Sequence, residues 1–241
     1  MDYFNEKRGR FDSPGPQVPD YMPKNGLLYY DDLAGKKPNA ITGQAYREIL
    51  TGTGDDPSNI DGLEYTVVGG KRCLYKGTFQ NNYLQFDFPT GRIQWTMGCW
   101  VYDVLGECEK QYAIAHDIAN GDGVYLSFRN IDGSSRQIIS VRNYVKSTGK
   151  TRMAWADGCY EQGAWHFLYA WQGSGYWGVR FDDRNGGENL GVDPHAPQDI
   201  KQVRLLPTQA YGIAIRGAFM YSRVLSHDEC LAIYNGSKDE T

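Results

Sequence analysis

Residues 165–182 read WHFLYAWQGSGYWGVRFD, and their pattern decides the fold. Trp165, Phe167, Tyr169 and Trp171 recur at every second position, with His166, Leu168 and Ala170 between them. After Gly173-Ser174-Gly175, Trp177, Val179 and Phe181 alternate with Tyr176, Gly178 and Arg180. A period of two in aromatic and β-branched residues, broken by small turn residues, predicts a β-hairpin. Its first arm is largely apolar on both faces, which predicts an interior strand rather than an edge. Large rings at one spacing bury large areas, so these four read as scaffold before they read as a binding site.

The same alternation continues on both sides. Residues 93–104 place Ile93, Trp95, Met97, Cys99 and Val101 on one face. In residues 83–88, Leu84, Phe86 and Phe88 point inward, and Pro89 is expected to end the strand because it cannot donate to a ladder. Residues 27–30, 63–68, 72–75, 112–116, 124–129, 137–144, 203–206 and 211–221 read as further strands, with Gly69-Gly70 as a hairpin turn. Residues 43–50 fit a short helix or an irregular strand, and 51–62 and 182–197 are loops by composition. Residues 226–236, SHDECLAIYNG, predict one short helix. Ser226 is its N-cap, Glu229 completes a capping box, and Gly236 is expected to stop it.

The 241 residues include 29 glycines, 18 tyrosines and 6 tryptophans, as expected of a turn-rich all-β domain large enough for a sizeable core. The net charge of -4 and the lack of a Lys/Arg stripe argue against nucleic acid as the main partner. No apolar run reaches the roughly 20 residues of a membrane span. Cys73, Cys99, Cys108, Cys159 and Cys230 are odd in number and scattered, and read as free thiols of a chain made in a reducing cytoplasm. The N-terminus lacks the apolar run of a secretory signal, although a chain stripped of its signal would look the same.

Residues 1–26 hold Pro14, Pro16, Pro19 and Pro23 among Tyr3, Phe4, Phe11, Tyr21 and Met22. Two readings compete for this extended Pro/aromatic arm. One is a disordered tail; the other is an arm that docks on a neighbouring subunit through those large apolar groups.

Four pieces, in order, resemble the laminin-G-like, concanavalin A-like jelly-roll family. GKRCLYKGTFQNNYLQFDFP resembles its early strands, and GRIQWTMGCWVYDV its first long core strand. GAWHFLYAWQGSGYWGVRFDD resembles its Trp-His strand, turn and return strand. IRGAFMYSRVLSHDECLAIYNG resembles the closing strand and helix, with Tyr221, Arg223, Leu225, Ser226 and Glu229 in the family's spacing. The resemblance implies an all-β, two-sheet antiparallel jelly-roll sandwich over 27–241 with a short C-terminal helix. It also implies a face or rim able to bind glycans, proteins or calcium, without implying catalysis.

The chemistry-bearing residues point the same way. A retaining glycosidase needs two carboxyls about 5–5.5 Å apart, and no Glu-x-Asp-x-Glu strand supplies them. Asp103, Glu107 and Glu109 come nearest and read as solvated loop charges. Adjacent Asp182 and Asp183 would face opposite ways on a strand. His166 reads as a packing or hydrogen-bonding residue, and none of the four histidines has metal-ligand spacing. Asp117, Asn120 and Asp122 put three oxygen donors in one glycine-interrupted loop, which offers a calcium site but has first of all the composition of an ordinary turn. A sugar site would use an exposed ring with hydroxyl-binding polar groups. Tyr125, Arg129, Tyr144, Tyr176 and Trp177 are the candidates, each of them also acceptable as plain sheet surface.

The expected function is therefore non-catalytic recognition of a carbohydrate or protein surface, on a virion such as a phage or on another particle surface. The alternatives are a purely structural virion decoration or tail protein anchored to neighbouring scaffold subunits through 1–26, and, behind both, a glycosidase or lyase of the same fold. The expected location is a virion or particle surface after cytoplasmic synthesis, or alternatively extracellular if a signal peptide was removed.

Overall fold

A computed structural model describes residues 18–34, 47–51, 63–77, 83–92, 94–105, 111–117, 123–130, 137–145, 150–156, 163–173, 176–183, 188–189, 200–207 and 210–240. Among these, fifteen strands form two antiparallel sheets and one helix follows them. The strands are β1 (Leu27–Asp31), β2 (Arg47–Thr51), β3 (Leu63–Val68), β4 (Lys71–Lys76), β5 (Tyr83–Arg92), β6 (Trp95–Asp103), β7 (Gln111–Asp117) and β8 (Gly123–Asn130). They continue with β9 (Gln137–Val145), β10 (Lys150–Ala156), β11 (Trp165–Gln172), β12 (Trp177–Phe181), β13 (Glu188–Asn189), β14 (Ile200–Leu205) and β15 (Ile213–Tyr221), and α1 (His227–Ser237) closes the series. One sheet runs β13-β12-β11-β6-β15-β4-β3, with β1 also on β15; the other runs β10-β9-β8-β7-β14-β5-β2.

The opening hairpin forms as its alternation dictates. β11 pairs with β6 along its whole length and with β12 from Leu168↔Phe181 to Gln172↔Trp177. Leu168, Ala170, Val179 and Phe181 join Trp95, Met97, Cys99 and Val101 in the main core. That core also takes Leu84, Leu126, Val203 and Leu205 from the second sheet, so the two sheets share it. Phe167, Tyr169 and Trp171 face the other way, into a second cluster with Trp100, Phe219, Tyr221, Leu225, Cys230 and Ile233. Helix α1 lies over this outer face.

A bulge makes the outer face possible. In β15, Ile213 and Ile215 point to the main core, and so do Ala218 and Met220, which have the opposite parity. The extra residue sits between Arg216 and Phe219, where Gly217 takes φ 56° and donates to Asp32 O at 2.9 Å. The bulge leaves Arg216 on the outer side, buried, donating to the carbonyls of Ser237 and Glu240 at the end of α1. No basic residue lies in the last turn of α1, so Arg216 brings the cation its C-terminus favours. Burial lowers its pKa, with Glu240 acting in the opposite sense.

Several expectations need correction. β5 runs through Pro89 to Arg92. Pro89 is tolerated because the β2 ladder ends at Asp87, while the β14 ladder passes directly from Asp87 to Arg92. Gly236 does not stop α1 but lies within it, and the C-cap is Lys238. Asp103 is not a solvated loop charge; it is 2% exposed at the end of β6 and accepts from the Leu105 amide at 3.1 Å. Glu107 and Glu109 lie outside the described residues. The 43–50 segment resolves in favour of a strand at its end, β2, and β10 is a strand the sequence reading omitted.

The arm also differs. Met22 is 2% exposed in the outer cluster, with Val18 and Tyr21 packed against it. The Tyr21 hydroxyl donates to Glu240 Oε1 at 2.7 Å. Two of the groups expected to hold a neighbouring subunit are therefore used within the chain; Tyr3, Phe4 and Phe11 lie outside the described residues.

Candidate functional site

Where the outer aromatic row runs past the start of α1, a cleft of about 130 Å³ opens. Tyr169, Trp171, Tyr176, Arg180, Val224, Leu225 and His227 line it. β11 supplies the first two rings, the hairpin turn supplies Tyr176, β12 supplies Arg180, and the entry to α1 supplies the rest.

Two glycines shape the walls. A methyl group on Gly173 would come within 2.5 Å of Tyr176 Cζ, so only glycine lets that ring fold back over the turn. The Gly173 amide donates to Tyr176 O at 2.8 Å and closes the turn beneath it. Gly178 stands opposite Trp171 in the ladder, and a methyl group there would collide with the indole, 2.8 Å from Cε2. The indole thus lies across β12, and Arg180, two residues on, sets its guanidinium carbon 5.4 Å from the Trp171 ring centroid.

Tyr176 is the exposed ring at 38%, whereas Trp171 is 6% exposed and forms wall rather than platform. The Tyr169 hydroxyl lies 3.3 Å from His227 Nδ1. Burial first, then the neighbouring Cys230, raises its pKa, so it stays a neutral phenol throughout the physiological range. Burial likewise pushes the Cys230 thiol up to about 12, which leaves it an inert packing group.

The N-terminal side of α1 is held by the closing segment of residues 221–229. Arg223 donates through Nη1 to Glu229 Oε2 at 2.8 Å and through Nη2 to Oε1 at 2.6 Å, while its Nε reaches Asn25 O at 3.0 Å. Ser226 Oγ accepts from the Glu229 amide at 3.2 Å, and Glu229 Oε2 accepts from the Ser226 amide at 2.9 Å, completing the capping box. Thr96 Oγ1 bridges this segment to β6, donating to Arg223 O and accepting from the Leu225 amide. The motif read from the sequence is thus the frame that fixes Leu225 and His227 beside the hairpin. His166 fulfils its hydrogen-bonding expectation: its Nδ1 lies 2.8 Å from Asp182 Oδ2, and Asp182 Oδ1 accepts from the Phe167 amide.

Of the expected ligand-binding residues, Tyr176 lines the cleft, and Trp177 packs, partly buried, against the main core. Tyr125 and Arg129 lie on β8 opposite Arg142 and Ile138, and Tyr144 lies on β9 opposite Gly123, on the second sheet. Their side chains are outside what the structure describes. Asp117 ends β7, while Asn120 and Asp122 lie outside the described residues, so the calcium reading falls there too. Among the described residues, no group of three His, Cys, Asp or Glu side chains could hold a metal ion, and no helix is long and apolar enough to cross a membrane. Sequence reasoning missed Tyr169, Trp171, Arg180 and His227 as site residues. The available signal was a glycine beside or opposite each aromatic of the turn.

No protein-family model matches the chain, and no curated protein does. Solved structures do match. The receptor-binding domain of botulinum neurotoxin D aligns with a TM-score of 0.67 at 12% identity, over 88% of this chain and 53% of that one. The binding domain of Paraclostridial Mosquitocidal Protein 1 gives 0.66 at 10% identity, over 89% and 53%. The ligand-binding domain of botulinum neurotoxin serotype D in complex with N-acetylneuraminic acid gives 0.67 at 12% identity, over 88% and 51%. The chain spans about half the length of these structures. Identity this low shows a shared fold and nothing finer, and the neighbours named are binding domains.

Proposed function

We propose that this chain is a non-catalytic recognition module of the laminin-G-like, concanavalin A-like jelly-roll type, which binds carbohydrate in the cleft between the β11–β12 hairpin and α1. The two sheets around one core and the closing motif on α1 support the fold assignment. The observation that carries the function is Tyr176: an exposed ring, propped over Gly173, beside the polar groups of Arg180, Tyr169 and His227. Rings of this kind stack on the apolar face of a sugar while fixed polar groups orient its substituents. The similarity to binding domains, one of them seen with a bound sugar, adds support at the level of fold.

For its setting we favour display on a virion or other particle surface. Cys73, Cys99 and Cys230 are free and buried, which suits folding in a reducing cytoplasm. A glycan array tests the site. The full chain is expected to bind a defined subset, and Tyr176→Ala to lose at least tenfold in affinity with an unchanged melting temperature. Binding that is indifferent to Tyr176→Ala, or an empty array, sinks the proposal.

A further inference from the structure

We infer that the group recognised in this cleft is the carboxylate of an acidic sugar. The inference rests on the proposal that the cleft takes carbohydrate, and it concerns which carbohydrate. Neutral sugars present hydroxyls that donate as well as accept, so their sites supply carboxylate or amide oxygens. Here the described lining side chains include Arg180, His227 and the Tyr169 and Tyr176 hydroxyls, and among them there is no carboxylate and no side-chain amide. The hydroxyls and a neutral imidazole can accept as well as donate, and Tyr169 is already bonded to His227, so it is the guanidinium of Arg180, a group that only donates, that favours a ligand group that only accepts.

Geometry narrows the class further. Arg180 holds its guanidinium carbon 5.4 Å from the Trp171 ring centroid, a cation–π contact that favours one placement of the side chain. A planar fork of N–H donors pairs two-pronged with an oxyanion such as a carboxylate, as Arg223 pairs with Glu229 in this same chain. The nearby charge of Glu229 is held by Arg223 in a two-pronged pair at 2.6 and 2.8 Å, and neither residue lines the cleft. The volume of about 130 Å³ is small against the roughly 300–1,000 Å³ of pockets that enclose drug-sized ligands. It suits one terminal acidic unit with Tyr176 beside its ring, and the rest of the glycan in solvent.

The test changes the ligand before it changes the protein. The methyl glycoside of N-acetylneuraminic acid and the methyl ester of the same glycoside are titrated into the full chain, with methyl galactoside and galactose 6-sulfate beside them. Binding is followed by calorimetry and by the fluorescence change of the cleft aromatics. The expected result is that the acid binds at least tenfold more tightly than the ester, and more tightly than the sulfate. Arg180→Gln should remove that difference while Tyr176→Ala weakens acid and ester alike. Equal affinity for acid and ester, or a preference for the sulfate, overturns the carboxylate inference and leaves the sugar-binding proposal standing. Binding of none of the four probes, against an array that also stays empty, overturns both. Because the ester comparison uses the unaltered chain, a failure of the Arg180 variant to fold does not blunt it.

Discussion

Gly236 lies inside α1, exposed on one side and with Tyr21 where its Cβ would point. A methyl group there would come within 2.6 Å of Tyr21 Cβ, the root of the side chain, which cannot swing away. In an exposed helix interior, Gly→Ala stabilises by about 0.5–1 kcal/mol. Here the sign reverses: Gly236→Ala is expected to destabilise by about 1–3 kcal/mol, the usual cost of overpacking. In a Tyr21→Ala background the same substitution should regain its ordinary stabilising sign. Urea unfolding of the four chains of this cycle measures the coupling directly. A stabilising Gly236→Ala in the parent chain would mean that the arm does not lie on the helix. This contact also explains why the sequence suggested a helix stop: glycine after Asn235 is a common terminator, and the ring that requires it lies more than 200 positions away.

The closing element shows how far local pattern reaches. The capping box was legible, because it depends on a spacing of three within one helix. The facing of the hairpin was legible for the same reason, since strand parity is a local property. What escaped was anything set by a partner elsewhere: the bulge that turns Arg216 onto the end of α1, the burial of Asp103, and the cleft itself. The cleft depends on glycines that yield space to rings, and sequence shows the glycine without the ring's direction.

The Arg223–Glu229 pair gives this element a pH signature. Arg223 first, then the Ser226 amide, hold Glu229 at about 2, below its ordinary value of 4.5, against a smaller opposing effect of burial. The unfolded chain therefore takes up this proton before the folded chain does. The stabilisation is fully present above about pH 4.5 and is lost as pH falls through about 2. With both side chains near 30% exposed, solvent screening limits it to about 1 kcal/mol. The stability gap between the parent and Glu229→Gln should accordingly narrow between pH 6 and pH 2.5, measured by urea midpoints. A gap that stays constant over that range would leave the pair without an electrostatic role.

At the scale of the molecule, the outer face of the eight-stranded sheet acts as a second core, and residues 18–26 help to seal it. Met22 is buried, the Tyr21 hydroxyl reaches Glu240, and the carbonyls of Asn25 and Gly26 accept from Arg223 and from Ser222. A chain beginning at Leu27 is thus not the domain minus a tail. Uncovering Met22's site alone forfeits about 1.5–3 kcal/mol of apolar burial, and 1 kcal/mol moves the melting temperature of a chain of this size by about 2–4 °C. A version starting at Leu27 is expected to melt at least 5 °C below a version starting at Val18. It should also self-associate through the exposed aromatic face, visible by light scattering. The comparison separates two meanings of the arm. If an oligomer of the full chain disappears when residues 1–17 are removed, those residues carry assembly. If it changes only when 18–26 go as well, the cause is damage to the second core. Equal melting temperatures for the Val18 and Leu27 versions would show that 18–26 contribute nothing to that core, and the boundary at residue 27 would then stand.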